Sequence, residues 1–88
     1  MLTFVVTVHS TKEVESPGLP SLKLLQPTSY VLKSSRYPSI RDCVGFAKHN
    51  LKLKDVIFAG LVKMELSEVN TIPLKATEYL GMPIVLGS

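Results

Sequence analysis

Apolar and polar positions alternate at the start of the chain. Within residues 2–9 every second residue is apolar, and Val and Thr dominate the positions between them. A period of two in a segment rich in β-branched residues predicts a half-buried β-strand. Val5 and His9 then fall on the face opposite the main apolar one.

A second strand is expected after a long connection. Proline, glycine and charged residues crowd residues 10–20, which predicts a loop. Residues 21–26 read as a short strand ended by Pro27. Residues 30–33 either continue that strand beyond a kink or form a separate edge strand.

The periodicity changes to that of a helix at residues 39–50. Ser39 is expected to cap this helix together with Asp42, three residues on. The apolar stripe at i, i+3, i+4, i+7 and i+11 consists of Ile40, Cys43, Val44, Ala47 and Leu51. We expect Ile40, Val44 and Ala47 to face a sheet, with Cys43 beside them.

The remaining segments add strands to this sheet. Residues 56–62 are an almost continuous apolar run, which predicts a central strand. Residues 75–80 read as a helical turn closed by Gly81, and residues 83–86 as a last strand. The chain is therefore predicted to be one α+β domain over residues 1–88, a small mixed sheet with one covering helix. Pairing of its first and last strands at the sheet centre would make it β-grasp-like.

Short strings in the second half resemble the ubiquitin-like modifiers. Residues 57–60 (Ile-Phe-Ala-Gly) are identical to a string in the third strand of that family. Residues 66–70 are similar to one of its turns, and residues 39–48 resemble the single helix of the ubiquitin-fold modifier. Residues 80–86 look like a closing β-grasp strand. The resemblance implies a β-grasp fold and protein binding, whereas Gly87 follows directly on a strand and not on the flexible tail of a conjugated modifier.

Composition limits the class of protein. The chain has 88 residues, of which 45% are hydrophobic and 19% charged, so it carries enough apolar surface for one small core and is not expected to be disordered. Its single cysteine, Cys43, excludes an intramolecular disulfide and a disulfide-stapled secreted scaffold. The first eight residues lack a basic segment and are too short for a signal sequence or a membrane span. We therefore expect a cytoplasmic or nuclear protein that has no contact with membranes.

Residues with catalytic or metal-binding potential are few and scattered. Cys43 falls on the apolar helix face, where an inert buried thiol is expected. His9 and His49 are far apart and do not match the spacing of metal ligands. No nucleophile–base motif or phosphate-binding glycine loop is present. The sequence predicts neither enzymatic activity, nor a cofactor, nor a metal site.

Charge is distributed unevenly along the chain. The net charge is +3, and residues 33–54 hold six basic side chains against one acidic. Arg41, Lys48 and Lys52 form a stripe on the helix opposite the apolar one. This basic stripe favours an alternative function, a small accessory protein associated with nucleic acid. Three Tyr, three Phe and no Trp supply few stacking side chains, which makes this the second choice.

Apolar residues on both sides of the predicted sheet favour protein binding. In an extended strand Leu22 and Leu24 point one way and Leu25 the other. One helix covers one face, so Leu25, together with Val5, is expected to be open to a protein partner or a second copy. The preferred function is thus a non-catalytic protein-interaction module that binds through its sheet face or an edge strand, with Val5 and Leu25 near the centre of the interface.

Overall fold

The strands form one mixed sheet with a helix packed against it. The computed structural model describes residues 1–87. In chain order the elements are β1 (Leu2–Val14), β2 (Leu22–Ser34), α1 (Ile40–Leu51), β3 (Ile57–Lys63), α2 (Leu66–Val69), β4 (Glu78–Tyr79) and β5 (Met82–Leu86). The strand order is β3-β1-β2-β5-β4, with β2 and β5 parallel and the other neighbours antiparallel. The predicted α+β class, a small mixed sheet with one covering helix, is confirmed.

The first two strands are longer than predicted. Each has 13 residues. Residues 10–14, expected to be loop, continue β1 because they pair with residues 22–26. Pro27 lies inside β2 and does not end it. Since β5 pairs with β2 only at residues 31–33, Pro27 lies on an edge of the sheet, where a missing N–H breaks no pairing.

Helix α1 begins where its cap predicts. The Ser39 hydroxyl accepts the Asp42 N–H at 3.0 Å, and the Asp42 carboxylate accepts the Ser39 N–H at 3.2 Å. This reciprocal capping box satisfies two backbone donors at the start of the helix. Ile40 was expected to face the sheet, but this first residue of the helix is 63% exposed, whereas Cys43, three residues on, is fully buried. Phe46, which the predicted stripe omitted, packs against the core from the next turn.

The helix-side core follows the alternation predicted for β1. Even-numbered residues of the two long strands lie on the face of α1, and those nearest the helix, at positions 4–8 and 30–32, are shielded from water. The buried members of this core are Phe4, Val6, Val8, Tyr30, Leu32, Cys43, Ala47 and Val85. Three of these fully buried residues, Phe4, Val6 and Val8, are every second residue of β1. This is the period of two that predicted the strand from sequence.

A second core lies on the opposite face of the sheet. Val31 is fully buried there, and Met64 and Ile72 are 7% exposed. The chain leaving β3 turns across this face, where the Met64 N–H donates to the Thr3 carbonyl at 2.9 Å. The half-buried Val5 packs against this second core. The expectation that one helix leaves a whole face open is therefore wrong at this end of the sheet.

The strand neighbours also differ from the expected ones. β3 was expected at the centre of the sheet, but it lies at an edge, with β1 as its neighbour. β5 accordingly pairs with β2 and not with β1, so the expected pairing of first and last strands does not form. Residues 78–79 are a short strand followed by a turn at Leu80 and Gly81, both with positive φ, where a helical turn was predicted. The last strand is confirmed.

Candidate protein-interaction surface

A two-stranded arm projects from the sheet. We use the name arm for residues 10–26, in which the end of β1 pairs with the start of β2. β3 accompanies β1 only as far as His9, and β5 joins β2 only from Val31. Both edges of the arm therefore lack a partner strand among the described residues. The molecule measures 51 × 24 × 18 Å, and its radius of gyration of 14.9 Å exceeds the roughly 12 Å of a compact domain this long.

A tight turn closes the tip of the arm. The Leu19 N–H donates to the Ser16 carbonyl at 3.1 Å, across Pro17 and Gly18. Gly18 has a φ of 79°, a conformation that glycine adopts without a steric cost. Proline followed by glycine at the two central positions is typical of a type II turn. This dipeptide was the sequence signal for a hairpin in a segment that composition alone assigned to loop.

Strand β2 exposes three leucines on the arm, and a fourth, Leu19, is exposed at its tip. Leu22 is 60% exposed, Leu24 52% and Leu25 59%. As predicted from strand alternation, Leu22 and Leu24 share the helix-side face and Leu25 lies on the other. Neither core reaches them, because the arm extends beyond both. Apolar side chains grouped on a projecting ribbon are typical of a binding surface.

The two residues predicted to form the interface are separated. Val5 pairs with Val31, whereas Leu25 pairs with Thr11, six residues further along β1. At about 3.3 Å per residue the two positions are roughly 20 Å apart. Val5 packs in the second core, so its predicted openness is wrong, while Leu25 is open as predicted. The exposed apolar surface is centred on the arm and not on the middle of the sheet.

A polar cleft lies at the base of the arm. It has a volume of about 330 Å³ and is lined by Thr11, Glu13, Lys23, Lys54 and Asp55. The Thr11 hydroxyl donates to the Asp55 carboxylate at 3.2 Å. This contact ties the arm to the loop that follows α1.

The predicted basic stripe is only partly helical. Arg41, Lys48 and Lys52 are all exposed, but only Arg41 and Lys48 lie within α1, at positions that share one helical face. Lys52 is the C-cap with a φ of 55°, so it does not follow the helical period. Asp42 lies in the same helix, but its carboxylate is engaged in the capping box.

Cys43 and Tyr30 form a buried polar contact. The Tyr30 hydroxyl donates to the Cys43 carbonyl at 2.7 Å. Burial raises the pKa of the Tyr30 hydroxyl, and burial followed by the nearby Asp42 raises the pKa of the Cys43 thiol. The thiolate form of Cys43 is thus disfavoured, as expected for a structural cysteine.

The histidines and acidic residues remain dispersed. His9 is half-buried in β1, and His49 is exposed in the last turn of α1. Within residues 1–87, no group of three His, Cys, Asp or Glu side chains is arranged to hold a metal ion. The helices in this part of the chain are too short or too polar to cross a membrane.

Comparison with known proteins returns no relative. No protein-family model, curated protein or solved structure matches this chain. Its function is therefore argued from the surface of the molecule alone.

Proposed function

We propose that this chain is a non-catalytic protein-interaction domain that binds through the arm. The observation that supports this proposal is the arm itself, which offers three half-exposed leucines and unpaired strand edges together. Unpaired edges accept an added strand through backbone hydrogen bonds, while neighbouring side chains supply selectivity. The proposal keeps the edge-strand mode and Leu25 from the sequence prediction, leaves out Val5, and adds Leu22 and Leu24.

The leucines and the free backbone groups of the arm can both contribute to the free energy of binding. Complete burial of one leucine stabilises a complex by about 1.5–3 kcal/mol. Leu22, Leu24 and Leu25 are already about half-buried, so each retains roughly half of that gain, or about 1 kcal/mol. Added backbone hydrogen bonds contribute about 0.5–1.5 kcal/mol each.

Two finer points belong to the same proposal. A ubiquitin-like relationship is a hypothesis that rests on the short strings at residues 57–60 and 66–70.

A cytoplasmic or nuclear location is proposed because the single cysteine is buried and unpaired, as is usual in a reducing compartment.

The experiment compares two triple variants. One replaces Leu22, Leu24 and Leu25 by Ser, and the control replaces Leu66, Leu74 and Leu80, which are at least as exposed but lie on the body. Wild-type protein is immobilised, a protein that it captures from its source cells is purified, and the Kd is measured with each variant. We expect the arm variant to bind at least about tenfold more weakly and the control to bind within about twofold of wild type. Equal affinities for the two variants would contradict the proposal.

The basic stripe supports a second candidate function. Arg41 and Lys48 are exposed on one face of α1 and Lys52 is exposed at its C-cap, and such exposed cations are suited to phosphate contacts. Replacing all three by Ser should leave thermal melting unchanged, because exposed charges contribute little to stability. Affinity for duplex DNA should fall, and its logarithm should depend less steeply on the logarithm of salt concentration.

A charge-matched control separates this effect from net charge. Replacing Lys12, Lys63 and Lys75 by Ser removes the same charge from exposed positions outside the helix. If both variants lose DNA affinity equally, the stripe is not a specific site and the nucleic-acid function is rejected.

A further inference from the structure

We propose that the arm binds the arm of a second copy of this chain, with the two β2 strands antiparallel and a twofold axis at Leu24. This inference rests on the proposed function, since it names the occupant of the arm. Three features of the molecule support it: the excess of exposed surface, the direction of the free backbone groups and the balance of charge.

The chain exposes more surface than a compact monomer of its size. Its accessible surface is 6286 Å², whereas a folded 9.7 kDa protein exposes about 5,100 Å². The excess is roughly 1,200 Å². In a stable interface each partner buries about 800 Å². The arm lies outside both cores, so the excess is consistent with a surface that a second copy covers.

The direction of the free backbone groups follows from the sheet. The Gly87 N–H donates to the Lys33 carbonyl at 2.7 Å, so the backbone groups of Lys33 point away from β1. In an antiparallel strand this direction alternates, and every second residue shares it. Lys23, Leu25 and Pro27 consequently point their backbone toward the open edge. Pro27 contributes no N–H there, so Lys23 and Leu25 are the arm residues of β2 that present both a donor and an acceptor.

These positions select one register. With Leu24 opposite Leu24 of the second copy, Lys23 lies opposite Leu25 on both sides of the axis. Each of these two pairs exchanges two hydrogen bonds, which makes four in all. A shift that places Leu25 opposite Leu25 also makes four hydrogen bonds, two between the leucines and one in each Lys23–Pro27 pair. It brings the tip of each arm, at Gly18, level with Leu32 of the other copy, where β5 already occupies the edge of β2. A register centred nearer the tip, on Lys23 or Leu22, places Leu25 opposite residues that precede β2 and are not in a strand.

Charge and symmetry are compatible with this register. The charged residues of the arm are Lys12, Glu13, Glu15 and Lys23, which sum to zero. Glu13 lies directly opposite Lys23 in the β1–β2 pairing, so Lys23 is accompanied by an opposite charge. A twofold contact uses the same edge on both copies and closes after two chains, whereas pairing of β2 with β1 of a second copy would continue into a fibre.

The first experiment measures mass by sedimentation equilibrium of the full chain over about a hundredfold range of concentration. We expect wild type to approach twice its 9.7 kDa mass. Leu25→Pro removes the outward N–H without touching the pairing with β1, as Pro27 does naturally, and should weaken dimerisation at least about tenfold. Leu25→Val keeps the N–H and should dimerise within about threefold of wild type. Melting curves for both variants show whether the body stays folded.

The second experiment reads the register by cross-linking. In the proposed pair, Leu24 and its symmetry mate have Cα atoms about 4.5 Å apart, within the range of a disulfide. Leu24→Cys should therefore form a covalent dimer on mild oxidation. In Leu22→Cys the two thiols lie about 13 Å apart along the strand, and no covalent dimer should form.

Three results would overturn the inference: a monomeric wild type, a Leu25→Pro variant that still dimerises, or equal cross-linking at positions 22 and 24. A monomeric wild type whose arm still binds the captured protein would reject self-pairing and leave the proposed function intact. Arm variants that bind the captured protein normally would reject the proposed function, whatever the oligomeric state.

Discussion

At the scale of single residues, the buried polar contact between Tyr30 and Cys43 has the clearest consequences. The Tyr30 side chain is fully buried in the helix-side core, and its hydroxyl donates to a carbonyl of α1. This bond joins strand β2 to the helix across the core. A buried hydroxyl that lost its acceptor would have to leave the core or remain unsatisfied.

Removing the Tyr30 hydroxyl should destabilise the fold modestly. Tyr30→Phe keeps the ring but deletes the hydrogen bond, so the free energy of unfolding should fall by about 1 kcal/mol. The measurement is urea unfolding followed by circular dichroism. Tyr37→Phe is the matched control, because Tyr37 is 63% exposed and its hydroxyl should contribute little. Identical losses in the two variants would show that the Tyr30 bond has no specific effect.

The same residues predict a loss of stability in alkali. Burial raises the pKa of Tyr30 above its ordinary value of 10.0 and the pKa of Cys43 above 9.0. The native state then holds these protons more tightly than the unfolded chain, so their contribution is complete below the unfolded pKa values and is lost as pH rises through the native ones. The free energy of unfolding should begin to fall above about pH 9 and fall faster above about pH 10. In Tyr30→Phe the second decline should be shallower; an unchanged slope would contradict the assignment.

At the scale of elements, α1 shows how a stripe on a helix relates to actual burial. Ala47 is fully buried against the sheet, whereas Ile40, seven residues earlier on the same stripe, is 63% exposed. Cys43, also in the first turn, is fully buried, so coverage changes within a single turn of the helix. Periodicity gives the direction of a side chain, and the length of the opposing surface decides whether that side chain is covered.

This difference predicts opposite outcomes for one substitution. Ala47→Asp places an unpaired carboxylate in the core and should cost several kcal/mol, enough to unfold a marginally stable domain. Ile40→Asp lies on the surface at the start of a helix, where a negative charge is favourable, and should change stability by no more than about 0.5 kcal/mol. Thermal melting distinguishes them. Cooperative melting of Ala47→Asp at the wild-type temperature would refute the packing of α1.

At the scale of the whole molecule, both faces of the sheet are covered at one end and neither core reaches the other end. The chain between Met64 and Met82 crosses the face opposite α1, and Ile72 is 7% exposed there. This segment has little regular structure, so its contribution depends on a few apolar contacts. The arm, in contrast, depends mainly on the pairing of its two strands.

The second core should therefore contribute substantially to stability. Ile72→Ala should lower the free energy of unfolding by about 2–4 kcal/mol, through lost burial and a residual cavity. Leu74→Ala is the control, since Leu74 is 99% exposed and should change stability by less than about 0.5 kcal/mol. Both values come from urea midpoints. A loss as small for Ile72 as for Leu74 would mean that the second core does not stabilise the native state.

The sequence by itself determined the features that arise from local rules. The α+β class, the start of α1 at Ser39 and the alternation along β1 all follow from spacing within a few residues. The opposite orientation of Leu24 and Leu25 follows from the geometry of one strand. The shared face of Arg41 and Lys48 likewise needed only the period of a helix, whereas Lys52 lies beyond the helix end.

Tertiary structure decided which of these residues meet and which stay open. Val5 and Leu25 lie on the same face of the sheet by alternation, but the segment after β3 covers Val5 and does not reach Leu25. β3 is an edge strand because it pairs with β1 and no strand pairs with its other side among the described residues, which no local pattern specifies. Strand partners and covered faces depend on contacts between residues far apart in the chain, and those contacts are fixed by how the whole chain packs, not by the spacing within any one segment.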